Sequence, residues 1–194
     1  MKKILGIIPS VINRRNAINL IIDNDLINFV RKCYPKYEIK ILYNTKIRCK
    51  LDLIISSGGN TIVTLHKSAD NNFRRKLDNY YLNIAIINNI SFLGICHGAQ
   101  HVANYFKSEI IKKLHHTRKN HPIKFFSEKS ITVNSYHDYA VIRLGKNLEK
   151  IAWTIDGSIE AFKHKKKKIL CIMWHPERYK QIKKFDIEFI KKYL

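Results

Sequence analysis

Glycine and proline are scarce in this chain, seven and four in 194 residues, so no flexible linker or disordered tract is implied. Cysteine is scarce too. Cys33, Cys49, Cys96 and Cys171 are scattered with no CxxC pair, which removes the usual zinc spacing and any disulfide framework. No apolar run is long enough to span a membrane, and no membrane partner is expected. The opening MKKILGIIPSVINRR has lysines before a short apolar run but no small-residue cleavage site, so it reads as a first strand and not as a signal peptide. Without a secretory signal, free thiols and a reducing cytoplasm are the expectation. No cofactor and no metal are expected either. HHTRKNH, from His115 to His121, holds three histidines, but its basic neighbours would repel a cation.

Acidic residues are the other shortage: 15 against 36 lysines and arginines, a formal net charge of +21 with a pI near 9.9. A polyanionic partner is one reading. The other is a composition heavy in Lys, Asn and Ile together, and the dispersal of the lysines favours it. Only Lys165 to Lys168 form a run, placed between two apolar stretches as in a solvated hairpin turn. No aromatic-interleaved basic stripe of the kind used on single-stranded nucleic acid accompanies it, so nucleic acid is not the expected ligand. A small anionic substrate stays open.

What remains is an alternation of strand-like and helix-like segments over residues 1–194, enough for one domain with a sizeable core. The expected fold is α/β, a three-layer sandwich on a central, mostly parallel sheet. Strands are expected at ILGIIPS (4–10), YEIKILYN (37–44), LDLIISSGG (51–59) and SFLGI (91–95). Helices are expected from Asn19 to Arg31, along the stripe Leu77, Tyr80, Tyr81, Ile84 and Ile87 closed by Asn88-Asn89, and from His97 to about Lys107. From His121 six short runs suggest sheet extensions and hairpins, and KQIKKFDIEFIKKYL should dock back as a terminal helix.

Three places carry chemistry. GICHG, Gly94 to Gly98, sets a cysteine between glycines where a buried strand meets a helix. That is the nucleophile-elbow pattern, with Cys96 at a helix N-terminus that favours thiolate; a buried packing cysteine is the alternative. MWHPER, Met173 to Arg178, places His175 and Glu177 two apart at the end of an apolar strand, on the same side, so His175 can act as base and Glu177 can orient it. SSGGN, Ser56 to Asn60, ends the third strand with a Gly-Gly turn that can offer a backbone N–H to an oxyanion, with the His97 N–H as second donor; an ordinary tight turn is the other reading.

In this order and separation the three segments resemble the class I glutamine amidotransferases, over nearly the whole chain. VNSYHDYAV (Val133 to Val141), DGSIEAF (Asp156 to Phe162) and the tryptophan before HPE resemble its stand-alone γ-glutamyl hydrolase branch, such as the γ-glutamyl-γ-aminobutyrate hydrolases, and the opening strand with the helix from Asn19 suits that branch. The resemblance implies a flavodoxin-like sheet with a Cys96 nucleophile, a His175 base, a Glu177 orienter, and oxyanion N–H groups from Gly59 and His97. It further implies a glutamyl contact from Gln100, and that the backbone of the Asn134-Ser135-Tyr136 segment holds the α-amino and α-carboxylate ends of the substrate. Where the family often has a glycine pair after the elbow helix, this chain has NYFKSEII.

The function implied is a cysteine hydrolase that cleaves a γ-glutamyl amide through a thioester. The positive charge makes a phosphorylated or nucleotide-linked leaving group attractive, γ-glutamyl-CDP-amidate of phosphoramidate capsule biosynthesis being one. The alternative is a glutaminase subunit that passes ammonia to a synthase partner. A second copy of the chain is a further partner left open. A basic binding protein on an inactive fold is the third class, and the complete Cys-His-Glu set argues against it.

Overall fold

The computed structural model describes residues 2–46, 49–113, 117–127 and 129–194, so His115 and His116 of the histidine cluster lie outside the described residues. The first half of the chain runs β1 (Lys3–Ile8), β2 (Ser10–Arg14), β3 (Ala17–Ile21), α1 (Asn24–Cys33), β4 (Tyr37–Ile41), β5 (Leu53–Ser56), α2 (Ala69–Asn88), β6 (Ser91–Ile95) and α3 (His97–Tyr105). The second half adds β7 (Glu109–Lys112), β8 (Thr117–Phe125), β9 (Ser130–Tyr136), β10 (Tyr139–Arg143), β11 (Leu148–Trp153), β12 (Ile159–His164), β13 (Ile169–Ile172), a 3₁₀ turn at Pro176–Arg178 and α4 (Lys184–Tyr193). None of the described helices is long and apolar enough to cross a membrane.

Strands β4, β1, β5, β6 and β13 lie side by side in that order and are all parallel. Taken in chain order this is the second-first-third-fourth-fifth arrangement of flavodoxin-like sheets, which bind ligands beyond the carboxyl ends of their strands. The sheet then continues antiparallel through β12, β11, β8 and β9, with β10 and β7 branching from β12. The lysine run 165–168 is the turn that reverses β12 into β13, as its position between apolar stretches predicts. NYFKSEII leaves α3 through Lys107, at φ 62°, and its last residues become β7.

The central strands are apolar on both faces because both are covered. Leu5, Ile7, Leu53, Ile55, Leu93, Ile95, Leu170 and Ile172 face α1 and α4, while Ile8, Ile54, Phe92, Ile169 and Cys171 face α2 and α3. Three layers result.

The expected helix from Asn19 to Arg31 is corrected. Residues 10–21 form the β2–β3 hairpin, and the helix starts only at Asn24. Arg15 and Asn16 both have positive φ, 50° and 60°, which is the two-residue turn whose twist suits a hairpin. Leu20 and Ile21 mimic helical spacing with the residues that follow, yet Leu20 is exposed on the hairpin. The stripe on α2 is also narrower than its spacing suggests. Leu77 and Tyr81 are buried, whereas Ile87 is 77% exposed. Asn89 does end the helix, in the left-handed conformation expected of a C-cap asparagine.

The inner face of α2 carries charge instead. Arg74 and Asp78 are both fully buried and pair at 2.9 Å. Arg74 also donates to the Pro9 carbonyl at 2.8 Å and the Ser57 carbonyl at 2.7 Å, joining the ends of β1 and β5. Asp78 accepts from Ser56 Oγ at 2.7 Å. Burial alone would raise the Asp78 carboxyl, but the guanidinium and the neighbouring histidines hold it well below the usual carboxylate range.

Removing one member of such a pair strands the other. Arg74→Leu is expected to cost about 3–5 kcal/mol, measured as a lowered urea midpoint. Arg74→Leu with Asp78→Leu should recover part of that loss. A single variant as stable as the parent would contradict the assignment.

Candidate active site

The elbow forms where β6 passes into α3. Cys96 is the N-cap of α3, with φ 50° and ψ −100°, a backbone conformation that costs roughly 1–3 kcal/mol for a non-glycine residue. Its peptide is pinned on both sides: the Cys96 N–H donates to the Ile172 carbonyl at 2.9 Å, and the Gln100 N–H donates to the Cys96 carbonyl at 2.9 Å. The flanking glycines are there for space. A Cβ on Gly94 would come within 2.8 Å of the Gly98 backbone, and one on Gly98 would run into the Ser56 carbonyl oxygen. Cys96 is only 8% exposed, less open than an elbow position suggests, and its remaining access is to a cleft of about 250 Å³.

His175 reaches the elbow from beyond the end of β13. Trp174 is buried and donates from its indole to Asp186 on α4 at 2.8 Å, anchoring the segment from behind. His175 caps the 3₁₀ turn that holds Glu177, so that turn, and not strand alternation, brings the two side chains together. His175 Nδ1 lies 2.6 Å from Glu177 Oε1. The other ring nitrogen is then left for Cys96, which lines the same cleft as His175.

Burial would push the Cys96 thiol up. The His175 ring, with His137 and Arg178 further off, outweighs it and holds the thiol below its ordinary value. Burial would likewise lower His175, but the Cys96 sulfur and the Glu177 carboxylate raise it. The two shifts run in the directions that a thiolate–imidazolium pair would take. Cys171 and Cys33 go the other way, raised by burial without such a partner.

The Ser56–Asn60 segment folds over the same cleft. Gly59, at φ 117°, and Asn60 line it. The Asn60 side chain grips Val11, accepting from its N–H and donating to its carbonyl, both at 2.8 Å, and donates to Asn71 Oδ1 at 3.0 Å. The His97 N–H belongs to the first turn of α3, which lacks intrahelical partners. The His97 ring is buried, 2.8 Å from the Asn60 carbonyl and 3.0 Å from Asp78. The loop and the elbow therefore share one buried scaffold.

Gln100 is on the cleft wall, its amide donating to the Tyr139 carbonyl at 3.0 Å. Residues 134–136 separate. Asn134 is buried and clamps the His175 peptide, accepting from its N–H and donating to its carbonyl at 2.8 Å each. Ser135 is fully buried. Tyr136 lines the cleft and meets the His175 ring edge-on at 5.5 Å.

Asn60, Thr61, His137, Asp138, Tyr139 and Arg178 also line the cleft and were not picked out from the sequence. All but Thr61 had a signal, since His137, Asp138 and Tyr139 lie in VNSYHDYAV, Asn60 ends SSGGN and Arg178 ends MWHPER. His137 Nε2 is 3.4 Å from Glu160 Oε1, and His121 Nε2 is 3.5 Å from Glu160 Oε2. Burial opposes charge on Glu160, but both histidines hold its pKa down to about 2. The Glu of DGSIEAF thus sits beneath the cleft as a buried anion.

Asp78, His97 and His101 bring ligand atoms within 4.8 Å of one another. Arg74 already fills the place of a cation on that carboxylate. A larger groove of about 430 Å³ lies among β8, β11 and α4 and contains none of these groups.

The chain matches glutamine amidotransferase class-I over residues 21–192. It is 37% identical over 142 residues to the gamma-glutamyl-CDP-amidate hydrolase of Campylobacter jejuni, covering 73% of this chain and 68% of that protein. It is 34% identical over 95 residues to the carbamoyl phosphate synthase small chain of Clostridium perfringens, covering 47% of this chain but 27% of that one. A glutamine amidotransferase structure from Thermotoga maritima superposes with a TM-score of 0.71 at 14% identity, covering 99% of this chain and 84% of the other, so the fold is shared. With the elbow on a flavodoxin-ordered sheet and these matches in agreement, the chain belongs to the class I glutamine amidotransferase family.

Proposed function

We propose that this chain is a stand-alone hydrolase that releases glutamate from a γ-glutamyl amide whose leaving group is phosphorylated or nucleotide-linked. The observation that carries the reading is Cys96, strained on the elbow and sharing one cleft with His175, whose Nδ1 is held by Glu177 at 2.6 Å. The similarity to a gamma-glutamyl-CDP-amidate hydrolase supports the leaving-group class.

In this mechanism the Cys96 thiolate attacks the γ-carbonyl carbon and the carbonyl electrons move to oxygen. The Gly59 and His97 N–H groups would receive that oxyanion, each worth roughly 2.7–4 kcal/mol of barrier. As the C–N bond breaks, His175 gives its proton to the departing nitrogen, leaving a glutamyl thioester. Neutral His175 then takes a proton from water, which attacks the thioester, and the carbon–sulfur bond breaks to give glutamate and the thiolate. Glu177 keeps the ring in its working tautomer throughout.

A second reading is a glutaminase subunit that hands ammonia to a synthase, favoured by the similarity to a carbamoyl phosphate synthase small chain. The two differ in what the isolated protein does. A hydrolase works alone, whereas such a subunit waits for its partner.

Glutamate release by the isolated protein should be fast on a γ-glutamyl amide bearing a phosphate or nucleotide, slower on glutamine and γ-glutamyl-γ-aminobutyrate, and absent in Cys96→Ala. Silence on every substrate would favour the glutaminase subunit. Glu177→Gln removes an anion that raises the His175 pKa, so the histidine should lose its proton at lower pH. The basic limb of kcat/KM is therefore expected to move downward in pH. A limb that stays in place would contradict the orienting role.

A further inference from the structure

Arg178 occupies a place in the cleft that the triad does not account for. It follows Glu177 directly and lines the cleft with Cys96, His175 and Tyr136. Its guanidinium lies over the Tyr136 ring at 4.8 Å, and that ring in turn meets His175 at 5.5 Å. This cation–π contact holds the guanidinium beside the cleft without using its N–H donors on a hydrogen bond. The carboxylates near it hold it loosely. Asp23, itself 56% exposed, is 3.4 Å away, and Glu177 Oε1 is 3.9 Å from Nε, beyond hydrogen-bond reach and already engaged with His175. A planar five-donor cation is thus held at the cleft but mostly unspent.

Its position relates it to one part of the substrate. His175 delivers a proton to the leaving nitrogen, so the leaving group departs along the His175 side of the cleft. Gln100 and Tyr139 form another part of the wall. An anionic group bonded directly to the leaving nitrogen would lie one bond from the atom that His175 protonates, beside the Tyr136–Arg178 stack. A phosphoryl group offers two oxygens that match the guanidinium fork. It also brings negative charge towards the Cys96 thiolate, a repulsion that a nearby cation offsets.

We propose that Arg178 is the specificity residue that binds a phosphoryl group carried on the leaving nitrogen. The inference rests on the hydrolase reading above and goes beyond it by assigning the recognition to one side chain.

The test pairs turnover with binding. Turnover compares the parent, Arg178→Gln and Arg178→Lys on three amides: γ-glutamyl-CDP-amidate, γ-glutamyl-γ-aminobutyrate and glutamine. Binding measures γ-glutamyl-CDP-amidate by calorimetry on Cys96→Ala with and without Arg178→Gln. Arg178→Gln is expected to lower kcat/KM for the phosphorylated amide about 10- to 100-fold and to weaken its binding in the Cys96→Ala background by a similar factor. Loss of the Arg178 charge near the thiolate touches all three amides alike, so the reading is the ratio: kcat/KM for the phosphorylated amide relative to glutamine and γ-glutamyl-γ-aminobutyrate should fall at least about 10-fold. Arg178→Lys should restore only part of the loss, since an ammonium neither stacks flat nor binds two oxygens. An equal loss on all three amides would overturn the proposal, because Arg178 would then be supporting the triad or holding the glutamyl end. Unchanged kinetics and binding would overturn it too. Turnover of the phosphorylated amide without Arg178 dependence leaves the hydrolase reading standing and this inference wrong. Binding that depends on Arg178 without turnover in the parent supports the inference while the hydrolase reading fails.

Discussion

The contact between Gly98 and the Ser56 carbonyl governs the architecture of this cleft. It lets α3 start directly against the end of β5, which in turn lets β6 end in a turn too tight for side chains at Gly94 and Gly98. The residue left between them is Cys96, forced to φ 50° and aimed into the cleft. Everything else converges on that crossing. β13 pairs with β6 and ends one short turn before His175, while β5 delivers Gly59 from the other side. The parallel sheet is the jig on which the three are assembled.

Charge is arranged in two depths. Beneath the cleft lie fully buried anions, Asp78 and Glu160, each surrounded by cationic or hydrogen-bonding partners from different elements. Such groups are costly to desolvate and costlier to leave unpaired, so they hold the β1, β5 and α2 ends and the β8–β12 wall in fixed relation. Above them stand the groups that face the cleft: Cys96, His175, His137 and Arg178. Asp138 also lines the cleft, but the groups whose charge acts on the sulfur are His175, His137 and Arg178. A thiolate is the form this environment favours.

Much of this was legible in the sequence, and the reason is local. Buried parallel strands write themselves as continuous apolar runs, so SFLGI appears as β6 with its bounds intact and LDLIISSGG contains β5. The glycines around Cys96 are legible because no side chain fits there. Other features depend on distance in space. The β2–β3 hairpin was hidden because its turn uses Arg15-Asn16 without a glycine, and Leu20 and Ile21 continue the spacing of α1. Arg74 and Asp78, four apart on α2, have the pattern of a solvated helix pair, and only the packing of β1 and β5 above them reveals burial. The resemblance speaks only of the backbone of residues 134–136, whereas the Asn134 side chain is spent on the His175 peptide, a pairing across 41 residues that no local pattern shows.

The central claim is that the elbow holds Cys96 as a thiolate paired with His175. The rate of alkylation of Cys96 by iodoacetamide, mapped to its own peptide as a function of pH, tests it most directly, with His175→Ala alongside. The account predicts a thiolate titrating below the usual thiol range of about 8.5 and shifting upward when the histidine is removed. Reactivity that rises only through the ordinary thiol range, unchanged in His175→Ala, would contradict it.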